Sequence, residues 1–521
     1  MKDLNIFFPK SEDEHIHASC FIGINGSGKS QALEIIAEIF LFLDRVYRKS
    51  QFPSKNLSSP FGFRIEYEII LSDVEYLVIF DCTAVKTKAK DIIVEVFKKG
   101  DKGFVFNDME NLHHYLPNKV VGYTSGANET LSLPFEWYYD EYAKFTGDRA
   151  KFPVKFKDLK DYDPMLYFMN YNTNLGITIS SLIFEDDNPS IKVLKDGLKI
   201  KKLISFRITI QTNQKTAPGY VSRPDADEYA GIALTEELRD WREKLIKCNP
   251  KALQDINDKK FNRWILDFEL NETTKALFRH HFKNSLELYT ALYKLELLNN
   301  LTIKDEIVKN IRRLREARLE TNLQLVPKLP MVPDDEKVLH YSELKLEMES
   351  GHIVDYLSLS DGEHQFLNVF GTMLMIDQDN CLFLLDEPET HFNPKWRRTF
   401  ISTLKEITKS RKQDVIVTSH SPFIISDTKN ENVFIFRRTD GKIEVSEPPR
   451  ETYGASFDNI LDMAFDIKIP ISEDSLNEIE KLDEETNPKT IQNELNKFGE
   501  SFEKTKLLNR VILLNANKGK V

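Results

Sequence analysis

Eight residues near the N-terminus, Gly23-Ile24-Asn25-Gly26-Ser27-Gly28-Lys29-Ser30, constrain this chain more than any other feature. They match the spacing G-x-x-x-x-G-K-[ST]. A strand-like run, His17–Ile22, precedes them and an apolar-periodic run from Lys29 to Tyr47 follows, so the glycines stand where a strand turns into a helix. In that setting glycines let backbone N–H groups turn inward around phosphate oxygens, and the helix N-terminus adds the positive end of its dipole. Lys29 is placed to reach the β- and γ-phosphates of a nucleotide, and the Ser30 hydroxyl to ligate Mg²⁺. A Gly-rich turn matching by coincidence would need neither the strand before nor the helix after. The motif calls for an α/β core.

Two further apolar strands end in polar clusters. Cys381-Leu382-Phe383-Leu384-Leu385-Asp386-Glu387-Pro388 closes on adjacent carboxylates. Asp386 is placed to hold Mg²⁺ through water, and Glu387 to orient or deprotonate an attacking water. Solvated acids at a strand end are common in isolation; beside Gly23–Ser30 the chemical reading is the better one. Val415-Ile416-Val417-Thr418-Ser419-His420-Ser421-Pro422 ends at a His whose Ser/Thr neighbours suit a γ-phosphate contact, although a lone His is more often structural. Leu357-Ser358-Leu359-Ser360-Asp361-Gly362-Glu363-His364-Gln365 opens a helix. Ser360 is a good N-cap and Glu363 completes a capping box, while Ser-x-Gly at a helix N-terminus is also an anion site. The residues alone leave both readings open.

The rest of the chain sorts into regions. Strands are expected at Leu4–Phe8, Phe63–Leu71, Tyr76–Asp81 and Ile92–Lys98, the last three alternating as a half-buried antiparallel sheet does. A buried strand, Lys119–Tyr123, runs into the loop Thr124–Glu129. From Leu131 to Lys337 the pattern becomes irregular, then helical, with Pro327, Pro330 and Pro333 as a linker. The α/β pattern resumes near Leu344–Met348, and a charged helical tail follows Arg450. The formal net charge of -11 argues against a protein coated in nucleic acid. Residues 239–318 nonetheless carry 18 Lys/Arg against 12 Asp/Glu, and the run Lys309, Arg312, Arg313, Arg315 sits within two helical turns. A solvated face is the usual meaning of such a run; contact with nucleic acid or a partner is the functional one. Lys395 and Arg411 have no reading beyond surface charge. Cys20, Cys82, Cys248 and Cys381 are too scattered for a disulfide framework or a zinc site. With no secretory signal and no run of about 18 apolar residues, a cytoplasmic protein without a membrane partner is expected.

The order of the four motifs resembles that of ABC-type ATPases, in the branch with SMC-like and OLD-like proteins. Gly23–Ser30 looks like Walker A, Leu359–Glu363 like the signature, Leu382–Glu387 like Walker B and His420 like the switch histidine. The signature departs from Leu-Ser-Gly-Gly-Gln, reading Leu-Ser-Asp-Gly-Glu. Ser360–Phe366 followed by Asp386–Pro394, together with Tyr123–Gly126 and Tyr453–Phe457, is similar to restriction-system-associated AAA-family ATPases. These resemble the ATPase subunit of Septu-type and retron-linked anti-phage systems.

The resemblance implies an ABC-type P-loop NTPase head: a mixed β-sheet with flanking helices, an antiparallel β subdomain and a large, mainly helical insertion. Lobe I with Walker A would span 1–130, the insertion 131–337, lobe II 338–450 and a helical tail 451–521. ATP and Mg²⁺ would be the ligands. Glu387 and His420 would be catalytic, and Ser30 and Asp386 would hold the metal. Gly23, Asn25, Gly26, Ser27, Gly28, Lys29 and Ser30 would bind ATP from one protomer, and Ser360, Gly362 and Glu363 from a head-to-tail second copy. The loop after Val121 usually carries a γ-phosphate-sensing Gln; here Asn128 is the nearest substitute, although an Asn in a turn is the commoner reading. His391 and Asn393 are either interface relays or turn and cap residues. The implied partners are a second copy and a separate nuclease effector, of HNH type, with a retron reverse transcriptase and its nucleic acid as a further one. No nuclease motif is evident in this chain. A low-turnover scaffold and an SMC-like DNA-repair ATPase are the alternatives.

Overall fold

The computed structural model describes residues 4–9, 16–47, 57–83, 87–100, 103–106, 111–126, 130–157, 163–187, 189–212, 220–221, 231–249, 263–321, 328–409, 411–469 and 471–518. The chain divides into two compact units, residues 1–454 and 455–521.

The first unit opens with β1 (Ile16–Ile22), the Gly-rich turn and α1 (Lys29–Tyr47). An antiparallel sheet follows, β2 (Phe63–Leu71), β3 (Val74–Cys82), β4 (Ile93–Gly100) and β5 (Gly103–Phe106), paired in that order. The chain returns through β6 (Lys119–Thr124), α2 (Ser132–Lys151), β7 (Leu166–Met169), α3 (Tyr171–Ile183) and α4 (Lys192–Leu198). Next come β8 (Ile200–Gln211), the short pair β9 (Tyr220–Val221) and β10 (Gly231–Ile232), α5 (Glu236–Lys247), β11 (Arg263–Glu269), α6 (Glu272–His281), α7 (Ser285–Leu297) and α8 (Asp305–Thr321). Then follow β12 (Leu339–Met348), β13 (Ile353–Asp355), α9 (Asp361–Met375), β14 (Cys381–Asp386), α10 (Pro394–Thr408), β15 (Gln413–Thr418), α11 (Pro422–Ser426), β16 (Val433–Thr439) and β17 (Lys442–Ser446).

Seven strands form the central sheet in the order β17-β16-β1-β15-β14-β6-β7. Every neighbouring pair is parallel except the hairpin β16/β17. The sheet is parallel because its strands are apolar on both faces: β6 is buried from Lys119 to Tyr123, and Phe383, Leu384 and Leu385 of β14 lie with Val415 and Val417 of β15 in the core. Such strands need helices above and below. The parallel register sets Asp386 beside Thr124 on one side and Thr418 on the other, with Phe21 opposite Thr418. The C-terminal strand ends therefore form one rim, where open α/β sheets bind ligands.

Two expectations change. Leu4–Phe8 is not a strand: it has no sheet partner among the described residues, and Phe8 instead packs its ring on Phe21 and Phe434, with centroids 6.2 and 5.3 Å away. Residues 131–337, mostly helical among the described residues, also supply β7 to the central sheet, and β8 and β11 to a second antiparallel sheet ordered β11-β8-β12-β13. The alternation Ile204-Ser205-Phe206-Arg207-Ile208-Thr209-Ile210 accounts for β8. Arg411 is no surface charge but buried at 9% exposure. Its guanidinium donates to the carbonyls of Met373 at 2.6 Å, Leu374 at 3.4 Å and Ile376 at 3.5 Å, satisfying the open C-terminal end of α9.

The second unit, residues 455–521, holds α12 (Phe457–Phe465), α13 (Glu473–Glu484), α14 (Pro488–Leu495) and α15 (Phe502–Lys518). Its small core is Ile479, Ile491, Leu495, Leu507 and Val511. Among the described residues no helix is long and apolar enough to cross a membrane.

Arg411→Met removes the cap but keeps the buried stem. We expect thermal unfolding to show a loss of at least about 2 kcal/mol, because buried carbonyls lose their partner. Lys395→Ala, on the exposed face of α10, should stay within about 0.5 kcal/mol of wild type.

Candidate nucleotide site

The turn between β1 and α1 is shaped by glycine. Gly23 has φ +141°, and a Cβ there would lie 2.3 Å from the Phe436 carbonyl oxygen, so the strand β16 leaves no room for a side chain. Lys29 is buried, and its Nζ donates to the carbonyls of Gly23 at 2.9 Å and Ile24 at 3.4 Å. Burial lowers its pKa, opposed by the charges of Glu387 and then Asp386. Ser27 Oγ is buried without a hydrogen-bond partner among the described residues, and a Cβ at Gly26 would meet none of them within 4 Å. An orphaned hydroxyl beside an open glycine turn fits a phosphate cradle. Asn25 lies exposed on the same turn.

Asp386 gathers hydroxyls from three other segments. Ser30 Oγ donates to its Oδ1 at 2.8 Å, Thr418 Oγ1 to Oδ1 at 2.6 Å and Thr124 Oγ1 to Oδ2 at 3.3 Å. This all-oxygen set suits Mg²⁺, a hard cation. The next residue, Glu387, is held at φ +49°, a left-handed conformation that costs a non-Gly residue roughly 1–2 kcal/mol. Its N–H is fixed by Thr418, through the carbonyl at 3.2 Å and Oγ1 at 3.0 Å. The turn aims the carboxylate at His420: Glu387 Oε1 lies 3.4 Å from His420 Nε2, which in turn is 3.1 Å from Lys29 Nζ. His420 first, then the Lys29 ammonium, hold the Glu387 carboxyl below the usual carboxylate range despite its partial burial.

Four residues here escaped the sequence reading: Thr124, Thr418, Ser419 and Glu389. Glu389 is 4% exposed and takes a hydrogen bond from the Ser419 hydroxyl. Its other oxygen, Oε2, has no hydrogen-bond partner among the described residues. Burial pushes its carboxyl up to about 7. A Ser/Thr-rich strand end beside a second Glu was the available signal. Asn128 lies outside the described residues. Upstream of it, Ser125 Oγ meets Thr390 Oγ1 at 3.0 Å.

The Leu-Ser-Asp-Gly-Glu segment forms the capping box read from sequence. Ser360 caps α9, and the Glu363 carboxylate accepts from both the Ser360 N–H and the Ser360 hydroxyl at 2.8 Å. Gly362 is required by packing, since a Cβ would sit 2.6 Å from the His391 carbonyl. The His391 N–H donates to Gln365 Oε1 at 2.9 Å, and Asn393 caps α10 by accepting from the Trp396 N–H at 3.0 Å. Asn393 thus takes the cap role. The basic run on α8 is split. Arg312 pairs with Asp140 at 2.9 Å and Arg315 with Glu136, both on α2, so Arg315 is buried against the protein while Arg312 stays partly exposed. Lys309 and Arg313 are exposed.

Residues 246–426, which hold the signature, Walker B and the switch histidine, match a family model described as an AAA domain of the AbiEii toxin type, type IV toxin–antitoxin system. Protein ea59 of Escherichia phage lambda is 22% identical over 219 residues, 42% of this chain and 38% of that protein. The thiamine import ATP-binding protein ThiQ of Photobacterium profundum is 32% identical over 80 residues, 15% of this chain and 32% of that protein. The chain therefore spans about a third of the length of the curated relatives it matches. The SMC head domain from Thermotoga maritima aligns over 83% of this chain and 90% of its own at 10% identity, with a TM-score of 0.29. The Smc head from Pyrococcus furiosus, solved with the C-terminal domain of ScpA, aligns over 83% and 89% at 12% identity, with a TM-score of 0.25. The sheet and the turn between β1 and α1 are those of a P-loop NTPase-like α/β fold, and part of the chain is similar to an AAA-domain family.

Because Glu389 keeps its proton to about pH 7 when folded but loses it near 4.3 when unfolded, the folded state binds more protons between those values. Stability should fall as pH rises through that window and level off above it. Nucleotide-free Glu389→Gln lacks this component. Its Tm relative to wild type should therefore rise between pH 5 and pH 8, read by differential scanning fluorimetry.

Proposed function

We propose that the chain is a regulatory ATPase that binds and hydrolyses ATP in head-to-tail dimers and controls a separate nuclease effector in a bacterial anti-phage system. One observation carries the hydrolysis: Glu387, His420 and Lys29 meet within 3.4 Å beside the Ser30–Asp386 hydrogen bond. In this reading Lys29 turns from the Gly23 carbonyl to the β- and γ-phosphates, and Gly23–Ser30 wraps the phosphates with backbone N–H groups. Ser30 and Asp386 hold Mg²⁺, which when bound neutralises phosphate charge. Glu387, kept ionised by His420, accepts a proton from the attacking water. His420 contacts the γ-phosphate.

Ser360 is exposed while Gly362 is packed away, which supports a serine serving a second copy rather than its own nucleotide. ATP is then a component of the interface, stabilising the dimer by mass action until hydrolysis removes it. The motif resemblance to Septu-type and retron-linked ATPases supports an HNH-type effector on another chain. The toxin–antitoxin description of the matched family likewise favours a two-component system. The scaffold reading keeps one specific support, the Glu363 carboxylate beside Ser360, a negative charge where a phosphate would dock.

Size-resolved light scattering with Mg·ATP tests the reading. Glu387→Gln should lower turnover by about 100-fold or more while its mass grows with ATP, and Ser360→Arg in that background should abolish the growth. A constant mass with no turnover in wild type would overturn the head-to-tail engine in favour of the scaffold.

A further inference from the structure

The hydrolysis reading leaves one buried polar pair unused. Glu389 and Ser419 belong to different loops, the first following Glu387 after β14 and the second preceding His420 after β15. Ser419 is fully buried and well bonded: its hydroxyl donates to Glu389 Oε1, its Oγ accepts from the Ser421 N–H at 2.9 Å, and its N–H donates to the Phe21 carbonyl at 3.1 Å. Phe21 is in the strand that leads into the Gly-rich turn. Glu389 is equally fixed at its base. Its carbonyl accepts from the Phe392 N–H at 2.9 Å and from Arg397 Nε at 3.2 Å, and Arg397 also donates to the Thr390 carbonyl at 2.8 Å.

We propose that Glu389 is a positioning residue: through Ser419 it locks the loop bearing Glu387 to the loop bearing His420 and so sets the spacing between the water-activating carboxylate and the γ-phosphate contact. Beyond the Thr418 hydroxyl on Asp386, two stitches among the described residues join these loops. The outer one is the Glu387 N–H on Thr418, and the inner one is the Ser419 hydroxyl on Glu389. The Ser419 N–H on Phe21 ties the His420 loop to β1; the inner stitch ties it in addition to the loop that carries Glu387. An uncharged acceptor performs this task, and a buried polar group needs such a partner to avoid a desolvation cost. Glu389 touches neither phosphate nor water in this account, so its effect reaches the reaction only through the Glu387–His420 geometry.

The inference rests on the hydrolysis reading, and the experiment separates the two. Steady-state ATPase kinetics are measured first for wild type and Glu387→Gln. If wild type is inactive, or if Glu387→Gln is as active as wild type, the hydrolysis reading falls and this inference with it. If wild type turns over and Glu387→Gln does not, Glu389→Ala, Ser419→Ala, the double variant and Glu389→Gln are compared. Misplacing reacting groups by a fraction of an ångström should lower kcat between about 10- and 100-fold, with KM for ATP within about twofold of wild type. The double variant should lose no more than either single one, because both break the same bond. Glu389→Gln, which still offers an acceptor to Ser419, should recover most of the kcat lost in Glu389→Ala. Wild-type kcat in folded Ser419→Ala would overturn the proposal. So would a Glu389→Gln as inactive as Glu387→Gln, which would make the carboxyl itself the reacting group.

Discussion

Everything at the nucleotide site depends on the in-register parallel pairing of β6, β14, β15 and β1. That register puts Thr124, Asp386, Thr418 and Phe21 in one row across the sheet. One carboxylate at the centre of the row can then accept hydroxyls from three separate segments without any of them leaving its secondary structure. A slip of one residue would turn Asp386 toward the opposite face. The apolar strands forbid it, because each would then lose the burial of Phe383, Leu385, Val415 or Val417. The hydrophobic core is thus what positions the polar chemistry.

Beyond that rim the backbone gives up regularity in a controlled way. Glu387 adopts a left-handed conformation one residue after the strand ends, and the two bonds to Thr418 hold it there. Local strain of this kind persists only where the surroundings over-determine it. Behind it, the signature helix α9 is tied down at both ends. Gly362 packs on the His391 carbonyl at its start, and Arg411 closes its last carbonyls. If this segment faces a second copy, as proposed, it is rigid before that copy arrives, which lowers the cost of ordering it on association.

The parts legible in the sequence were those whose signal is local. Gly23–Ser30, Asp386–Glu387, the Ser360–Glu363 box and His420 each announce themselves within eight residues, and the structure brings Lys29, Ser30, Asp386, Glu387 and His420 together. What stayed hidden depends on distant pairing. Thr124 and Thr418 gain meaning only from strand order. Glu389 looks like a solvated acid until Ser419 is beside it, and Arg411 looks like surface charge until α9 ends against it. The ion pairs of Arg312 and Arg315 on α8 stay hidden for the same reason, since Asp140 and Glu136 lie far upstream in α2. The alternating residues of β8 lie in the irregular, aromatic-rich part of the region before Leu234, where a single strand has no neighbouring pattern to mark its partner.

The central claim is that one ATP is shared by two copies, with Lys29 on one and Ser360 on the other. A mixing experiment tests it most directly. Lys29→Ala lacks nucleotide binding but keeps its signature, whereas Ser360→Arg keeps nucleotide binding but lacks the signature. Each alone should be inactive. Mixed, they should regain part of wild-type turnover, because one of the two sites in a mixed dimer is then intact. Turnover by Ser360→Arg alone, or two inactive variants that stay inactive when mixed, would contradict the shared site.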